Sequence, residues 1–201
     1  MTSDAGSYPT RRSVIVPAGE VELEGNLTIP PGAQALVMFV HGSGSSRSSP
    51  RNRSVAEGLH AAGLATLLFD LLTAEEEQID LRTRHLRFDI ELLGARTVAA
   101  TDWLLAQAFV SHDMVGYFGA STGAAAALTA AAERPASAGA VVSRGGRPDL
   151  AAEVLPQVQT PTLFIVGGDD RPVIAMNESA LAQMRPELEK KLIIVPWQRR
   201  W

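Results

Sequence analysis

From residue 21 to residue 29 the chain alternates, with Val21, Leu23, Leu27 and Ile29 apolar and Glu22, Glu24, Asn26 and Thr28 polar. A period of two sends successive side chains to opposite faces, so the stretch predicts a strand with one face buried. Residues 13–16 predict its hairpin partner, joined to it through Pro17-Ala18-Gly19-Glu20. After Pro30-Pro31-Gly32 the pattern changes to a continuous apolar run over residues 35–40, as in a strand buried on both faces of a parallel sheet. Strand and helix signals then alternate. Helices are predicted over 54–62, 85–107, the alanine-rich run that stops before Pro135, and 173–185. Strands are predicted over 65–69, 114–118, 138–143, 162–166 and 192–195, with a short helix opening at Pro148.

Repeated βα units imply a mostly parallel, doubly wound sheet, here carrying an N-terminal antiparallel hairpin. Residues 1–12 read as a polar tail and 13–201 as one domain. In such a sheet the functional crevice lies at the carboxyl ends of the strands. Four segments meet that condition: 41–47, 70–85, 143–147 and 167–172.

Composition removes several classes of chemistry. There are no cysteines, which excludes disulfides, a thiol nucleophile and thiolate metal sites. The four histidines, His41, His60, His85 and His112, are scattered without metal-ligand spacing, so neither metal nor cofactor is expected. A net charge of −4 with no basic stripe argues against nucleic acid. No apolar run is long enough to span a bilayer and the first residues lack a signal core, so a cytoplasmic protein with no membrane partner is expected.

The candidate chemistry centres on Gly119-Ala120-Ser121-Thr122-Gly123. The motif follows an apolar strand and opens a helix, the context in which a serine is held on a sharp elbow with its hydroxyl exposed. Upstream, His41-Gly42-Ser43-Gly44 follows another buried strand, and its small residues let backbone N–H groups turn inward around an anion. The expected oxyanion donors are the N–H of Thr122 and one from Ser43 or Gly42. A dinucleotide reading of Gly42-x-Gly44 fails on spacing, because Arg47 stands at the third glycine position and Pro50 delays the next helix. Downstream, Gly167-Gly168-Asp169-Asp170 follows a buried strand, in the chain order serine then acid. Either aspartate is equally able to cap the helix that follows. Arg144 and Arg147 border the crevice, and Arg144 is a candidate for binding an anionic substrate group. The run Glu75-Glu76-Glu77 reads as a solvated face rather than a lid.

Taken together, the His41-Gly42-Ser43-Gly44, Gly119-x-Ser121-x-Gly123 and Gly167-Gly168-x-Asp170 stretches resemble the α/β-hydrolase superfamily, and within it the dienelactone-hydrolase-related members. Phe69-Asp70-Leu71-Leu72-Thr73 and residues 143–149 add to the similarity, which runs from the first strand to Val195. The resemblance implies an α/β-hydrolase fold. It implies Ser121 as nucleophile and Asp170 as triad acid, with Asp169 the alternate, and an ester or lactone as substrate. It also implies that His41 braces the oxyanion loop. Dienelactone hydrolase proper uses a cysteine, so a serine points to the wider esterase-like group.

The chain departs from the family pattern at its end. No histidine follows Asp170, and residues 196–201, Pro-Trp-Gln-Arg-Arg-Trp, stand where the family places its histidine and final helix. His60 and His112 lie at the wrong edge of the predicted sheet, which leaves His85 as the substitute base if residues 73–84 fold over the site. Two other functions follow from the same gap. One is a binding protein that holds a small acid or ester without turning it over. The other is an assembly protein, in which the sheet face left uncovered, with Trp197 and Trp201, docks a partner or a second copy.

Overall fold

The computed structural model describes residues 8–107 and 114–196. Its eight strands form one sheet in the order β1-β2-β4-β3-β5-β6-β7-β8. They are β1 (Thr10–Ala18), β2 (Val21–Ile29), β3 (Leu36–Val40), β4 (Ala65–Phe69), β5 (Val115–Ala120), β6 (Ala138–Arg144), β7 (Thr162–Gly167) and β8 (Lys190–Val195). The first two make the expected hairpin, with Ala18 opposite Val21 and Gly19 at φ 68° in the turn. β1 begins at Thr10 rather than at residue 13. Strand β2 runs antiparallel to β4, and every later pairing is parallel.

Five α-helices connect and cover the strands: α1 (Pro50–Ala61), α2 (Ala74–Thr83), α3 (Ile90–Leu105), α4 (Thr122–Glu133) and α5 (Arg171–Gln183). The larger core lies on the α3–α4–α5 side. There Leu93, Ala100, Leu104, the alanines of α4 and Ala180 meet Leu23, Leu27, Met38, Tyr117 and Phe164. α1 covers the opposite face over Phe39, Leu68 and Phe118. The alanines of α4, nearly all buried, keep the helix close against the central strand, with Leu128 buried among them.

Three expectations change. Helix α1 starts at Pro50, not 54; proline occupies the first helical turn, where its missing N–H costs nothing, and Ser49 caps it. The helix expected from residue 85 begins instead at Ile90, capped by Asp89 and preceded by a short 3-10 turn, Leu86–Phe88. The segment before it is helix α2, whose Thr73 and Glu76 form a reciprocal capping box.

Among the described residues no helix covers the α1 side of β6 to β8 beyond α1. Register places Arg144, Ile165 and Ile193 in one row there, with Ala140 exposed on β6 and Ile193 38% exposed. β8 is the last described element. Trp197 and Trp201, assigned above to docking, lie outside the described residues, as does His112.

Candidate active site

Ser121 joins β5 to α4 at φ 50° and ψ −124°, a conformation almost confined to glycine. Two hydrogen bonds to its carbonyl hold it there, from Ala124 N at 3.1 Å and Arg147 N at 3.0 Å. Close packing explains the flanking glycines. A Cβ on Gly119 would lie 2.5 Å from Ala124 Cα, and one on Gly123 would lie 2.1 Å from the Val40 carbonyl oxygen. The elbow is therefore pressed between its own helix and the end of β3. Ser121 is half-buried, and its hydroxyl makes no hydrogen bond among the described residues.

The loop after β3 lies against this turn, so close that a Cβ on Gly42 would be 2.8 Å from Ser121 Cβ. His41 fixes the loop from below. Its Nε2 accepts the Leu71 N–H at 3.1 Å, which leaves the proton on Nδ1 to be donated to the Gly42 carbonyl at 3.0 Å. Burial pushes the imidazole below its ordinary 6.5, in keeping with this neutral form. At the far end of the loop, Arg47 is pinned by Asp70 and Glu24, and its backbone N–H donates to Asp70 at 2.6 Å. Asp70 is thus a loop anchor.

Of the expected oxyanion donors, Thr122 opens α4, so its N–H has no intrahelical carbonyl to bond. The Ser43 N–H instead donates to Thr122 Oγ1 at 3.0 Å. That bond ties loop to elbow and occupies the Ser43 donor, one of the two candidates for the second place.

Other predicted site residues are placed differently. Asp170 caps α5, its Oδ1 accepting from Val173 N at 3.3 Å, and both Asp169 and Asp170 are exposed. The capping reading is thus realised at Asp170. His85 neither follows a strand nor opens the long helix. It is exposed after α2, with Nδ1 2.7 Å from Thr83 Oγ1. Arg144 extends toward α1, where it donates to Asn52 at 3.3 Å and sits 5.9 Å from the Phe118 ring centroid. Burial lowers the pKa of its guanidinium, helped by Arg51. Arg147 is committed to Asp149, in three bonds of 2.9, 3.2 and 2.7 Å.

The glutamate run is only partly a solvated face. Glu75 is exposed, but Glu76 receives Arg96 in two bonds of 2.7 and 2.6 Å. Glu77 lines a cavity of about 340 Å³ with His41, Ser45, Asp70 and Thr73. Arg87, which the sequence reading did not single out, borders the loop beside Gly44 and Thr122 and is anchored on the buried Asp80. The Thr-x-x-Glu box at residues 73–76 was the available signal for this helix. Nothing in the local sequence marks Asp80 as buried.

A mostly parallel sheet, an antiparallel hairpin at one edge and a serine elbow at the end of a central strand define an α/β-hydrolase architecture. The dienelactone hydrolase family profile matches residues 23–194, and the chain belongs to that family. It is 65% identical to a crystallised dienelactone hydrolase from Anabaena variabilis, with a TM-score of 0.90 over 94% of this chain and 86% of that one. Est1E from Butyrivibrio proteoclasticus shares the fold at 16% identity and TM-score 0.75, over 92% and 88% of the two chains. A Mycobacterium tuberculosis protein, provisionally named a phosphoribosyl transferase, is 52% identical over 96% of this chain and 43% of its own length. The chain thus spans about two fifths of the length of that curated relative.

Proposed function

We propose that the protein hydrolyses a carboxylic ester or lactone through an acyl-enzyme on Ser121. The observation that carries this reading is the strained φ of 50° at Ser121, held by two hydrogen bonds, with the hydroxyl left unbonded among the described residues. Strain at a half-buried polar residue is a feature of functional sites. In the reaction, Ser121 Oγ bonds to the acyl carbon as its proton leaves, and the tetrahedral oxyanion collapses to expel the alkoxide, which is protonated. Water then attacks the acyl-enzyme, restoring the serine and releasing the acid. The N–H of Thr122 and that of Ser43 or Gly42 stabilise the oxyanion; for Ser43 to serve, Thr122 Oγ1 must rotate away from it. Asp170, at the carboxyl end of β7, is the acid of the set, with Asp169 beside it.

The general base is the open role. Among the described residues no imidazole bonds Ser121, and His85 is the candidate carried by this chain. A serine without a base turns over slowly, although the remaining oxyanion and binding groups of such enzymes keep about 10³–10⁴-fold acceleration over water. The same observation favours a second reading, in which the crevice holds a small acid or ester without hydrolysing it.

A fluorophosphonate probe separates them. Covalent labelling of Ser121, lost in Ser121→Ala, supports the hydrolase. Absence of labelling together with saturable binding of a small carboxylic acid supports the binding protein. Unchanged ester turnover in His85→Ala removes His85 as base.

A further inference from the structure

A second cavity, of about 420 Å³, lies on the α1 face of the sheet, where α1 stands beside the antiparallel strands β1, β2 and β4. It includes neither Ser121 nor any residue of the 41–47 loop. Its size is that of a small-molecule site.

The floor is built by register. Arg11 pairs across the ladder with Thr28, and Thr28 pairs with Thr66. The hydroxyl of Thr66, fully buried, then lies 2.7 Å from His60 Nε2 at the end of α1. One polar row therefore crosses three strands and ends on an imidazole. The next row, Ser13 to Asn26 to Leu68, adds a hydroxyl and an amide above an apolar patch.

The charge around this floor is one-sided. Arg11, Arg12 and Arg53 line the cavity with a single carboxylate, Glu57. None of the three guanidinium groups forms an ion pair among the described residues. Elsewhere Arg47, Arg87, Arg96, Arg134, Arg147 and Arg185 are each paired with an acidic side chain, whereas Arg51, Arg82, Arg84, Arg144 and Arg171 form no ion pair among the described residues. What sets the cavity apart is that three unpaired guanidinium groups gather around one concavity with a single carboxylate, in a chain of net charge −4. Burial together with the charge of Arg11 holds His60 below its ordinary 6.5, with Glu57 opposing, so Arg11 and the imidazole are within electrostatic reach.

We propose that this cavity binds the phosphate group of a small phosphorylated molecule, with Arg11 and Arg53 as the charged contacts and Thr28 and Ser13 as hydroxyl donors. Guanidinium donors match phosphate oxygens in paired bonds, and hydroxyls complete the shell. The apolar patch at Leu68 and Ala56 accommodates the rest of the ligand. The site is separate from Ser121, so it holds a ligand other than the ester under attack.

Calorimetric titration of the 201-residue chain with inorganic pyrophosphate in 150 mM salt tests this, with sulfate as control. Pyrophosphate is expected to bind at one site and to raise the His60 pKa in an NMR titration, since the added negative charge offsets that of Arg11. Arg11→Gln and Arg53→Gln, both at exposed positions, should each weaken binding about tenfold or more. Ser121 labelling by a fluorophosphonate should be unchanged by bound pyrophosphate. No binding, equal binding of sulfate, unaltered affinity in both variants, or a His60 signal that does not move would each overturn the proposal.

Discussion

Ser121 is held in a backbone conformation that costs an L-residue about 1–3 kcal/mol. Replacing it with glycine removes that cost, whereas alanine keeps it. Ser121→Gly is therefore expected to be about 1 kcal/mol more stable than Ser121→Ala in urea unfolding, after allowing for glycine's larger entropy loss. Equal stabilities would mean the elbow relaxes in solution. His41 sets a second residue-scale expectation. Its Nε2 must accept the Leu71 N–H, and burial lowers its folded pKa below 6.5. The unfolded chain then binds a proton more readily than the folded one, so stability is fully present above about pH 6.5 and falls as pH drops below it. Thermal unfolding from pH 8 to 5 should show this loss. His41→Leu should reduce it, the share of His60 remaining, while costing about 1–3 kcal/mol at pH 8 for the unsatisfied Leu71 N–H.

Helix α2 and its return to α3 form a frame beside the oxyanion loop, held by two charged anchors. Arg96, buried in α3, bridges Glu76 and the Leu71 carbonyl, the latter at 2.7 Å. The Arg96 hydrogen bonds hold the Glu76 carboxyl below its ordinary 4.5, against the opposing effect of burial. Its stabilisation is thus present above about pH 4.5 and lost as pH falls below it. Glu76→Ala leaves Arg96 without its carboxylate and breaks the capping box. A loss of about 2–3 kcal/mol is expected in urea unfolding at pH 7, discounted from a fully buried pair because Glu76 keeps some solvent contact. Glu75→Ala, on the exposed side of the same helix, should change stability by less than about 0.5 kcal/mol.

This frame also marks where the sequence was silent. The strands were readable because alternation in β2 and apolar runs in β3 and β4 are local patterns. The elbow was readable because Gly-x-Ser-x-Gly between an apolar strand and a helix-forming run is a local pattern, although the contact that requires Gly123, with the Val40 carbonyl, is a tertiary one. Asp80 and Arg87 are polar residues in a polar stretch, and only tertiary packing makes one of them a buried anchor. Likewise Pro50 reads locally as a helix breaker but serves as a helix start once Ser49 caps it. Whether Asp170 caps or catalyses depends on what approaches its free oxygen, which local sequence does not encode.

At the scale of the molecule, the two faces of the sheet are unequally covered. Among the described residues three helices cover one face, while α1 alone covers the other, over Phe39, Leu68 and Phe118. Beyond it the exposed surface at β6 to β8 carries Ala140 and, on β8, Ile193 in register with Ile165, next to the exposed Lys191. Among the described residues strand β8 pairs only with β7, so there its outer N–H and C=O groups form an unpaired edge that invites another strand. Lysines often guard such edges, but here Lys190 is turned back onto the Met184 and Arg185 carbonyls, at 2.8 and 2.6 Å, which leaves Lys191 to do so. Two copies meeting through β8 would complete each other's ladder and cover Ile193. We therefore expect the mass of the 201-residue chain in sedimentation equilibrium to rise from monomer toward dimer between about 1 and 100 µM. Ile193→Lys adds a charge to the exposed row without removing a core side chain, so it should restore the monomer with little loss of stability. A chain that stays monomeric throughout this range, or an Ile193→Lys variant that dimerises as before, would place any association elsewhere on the surface.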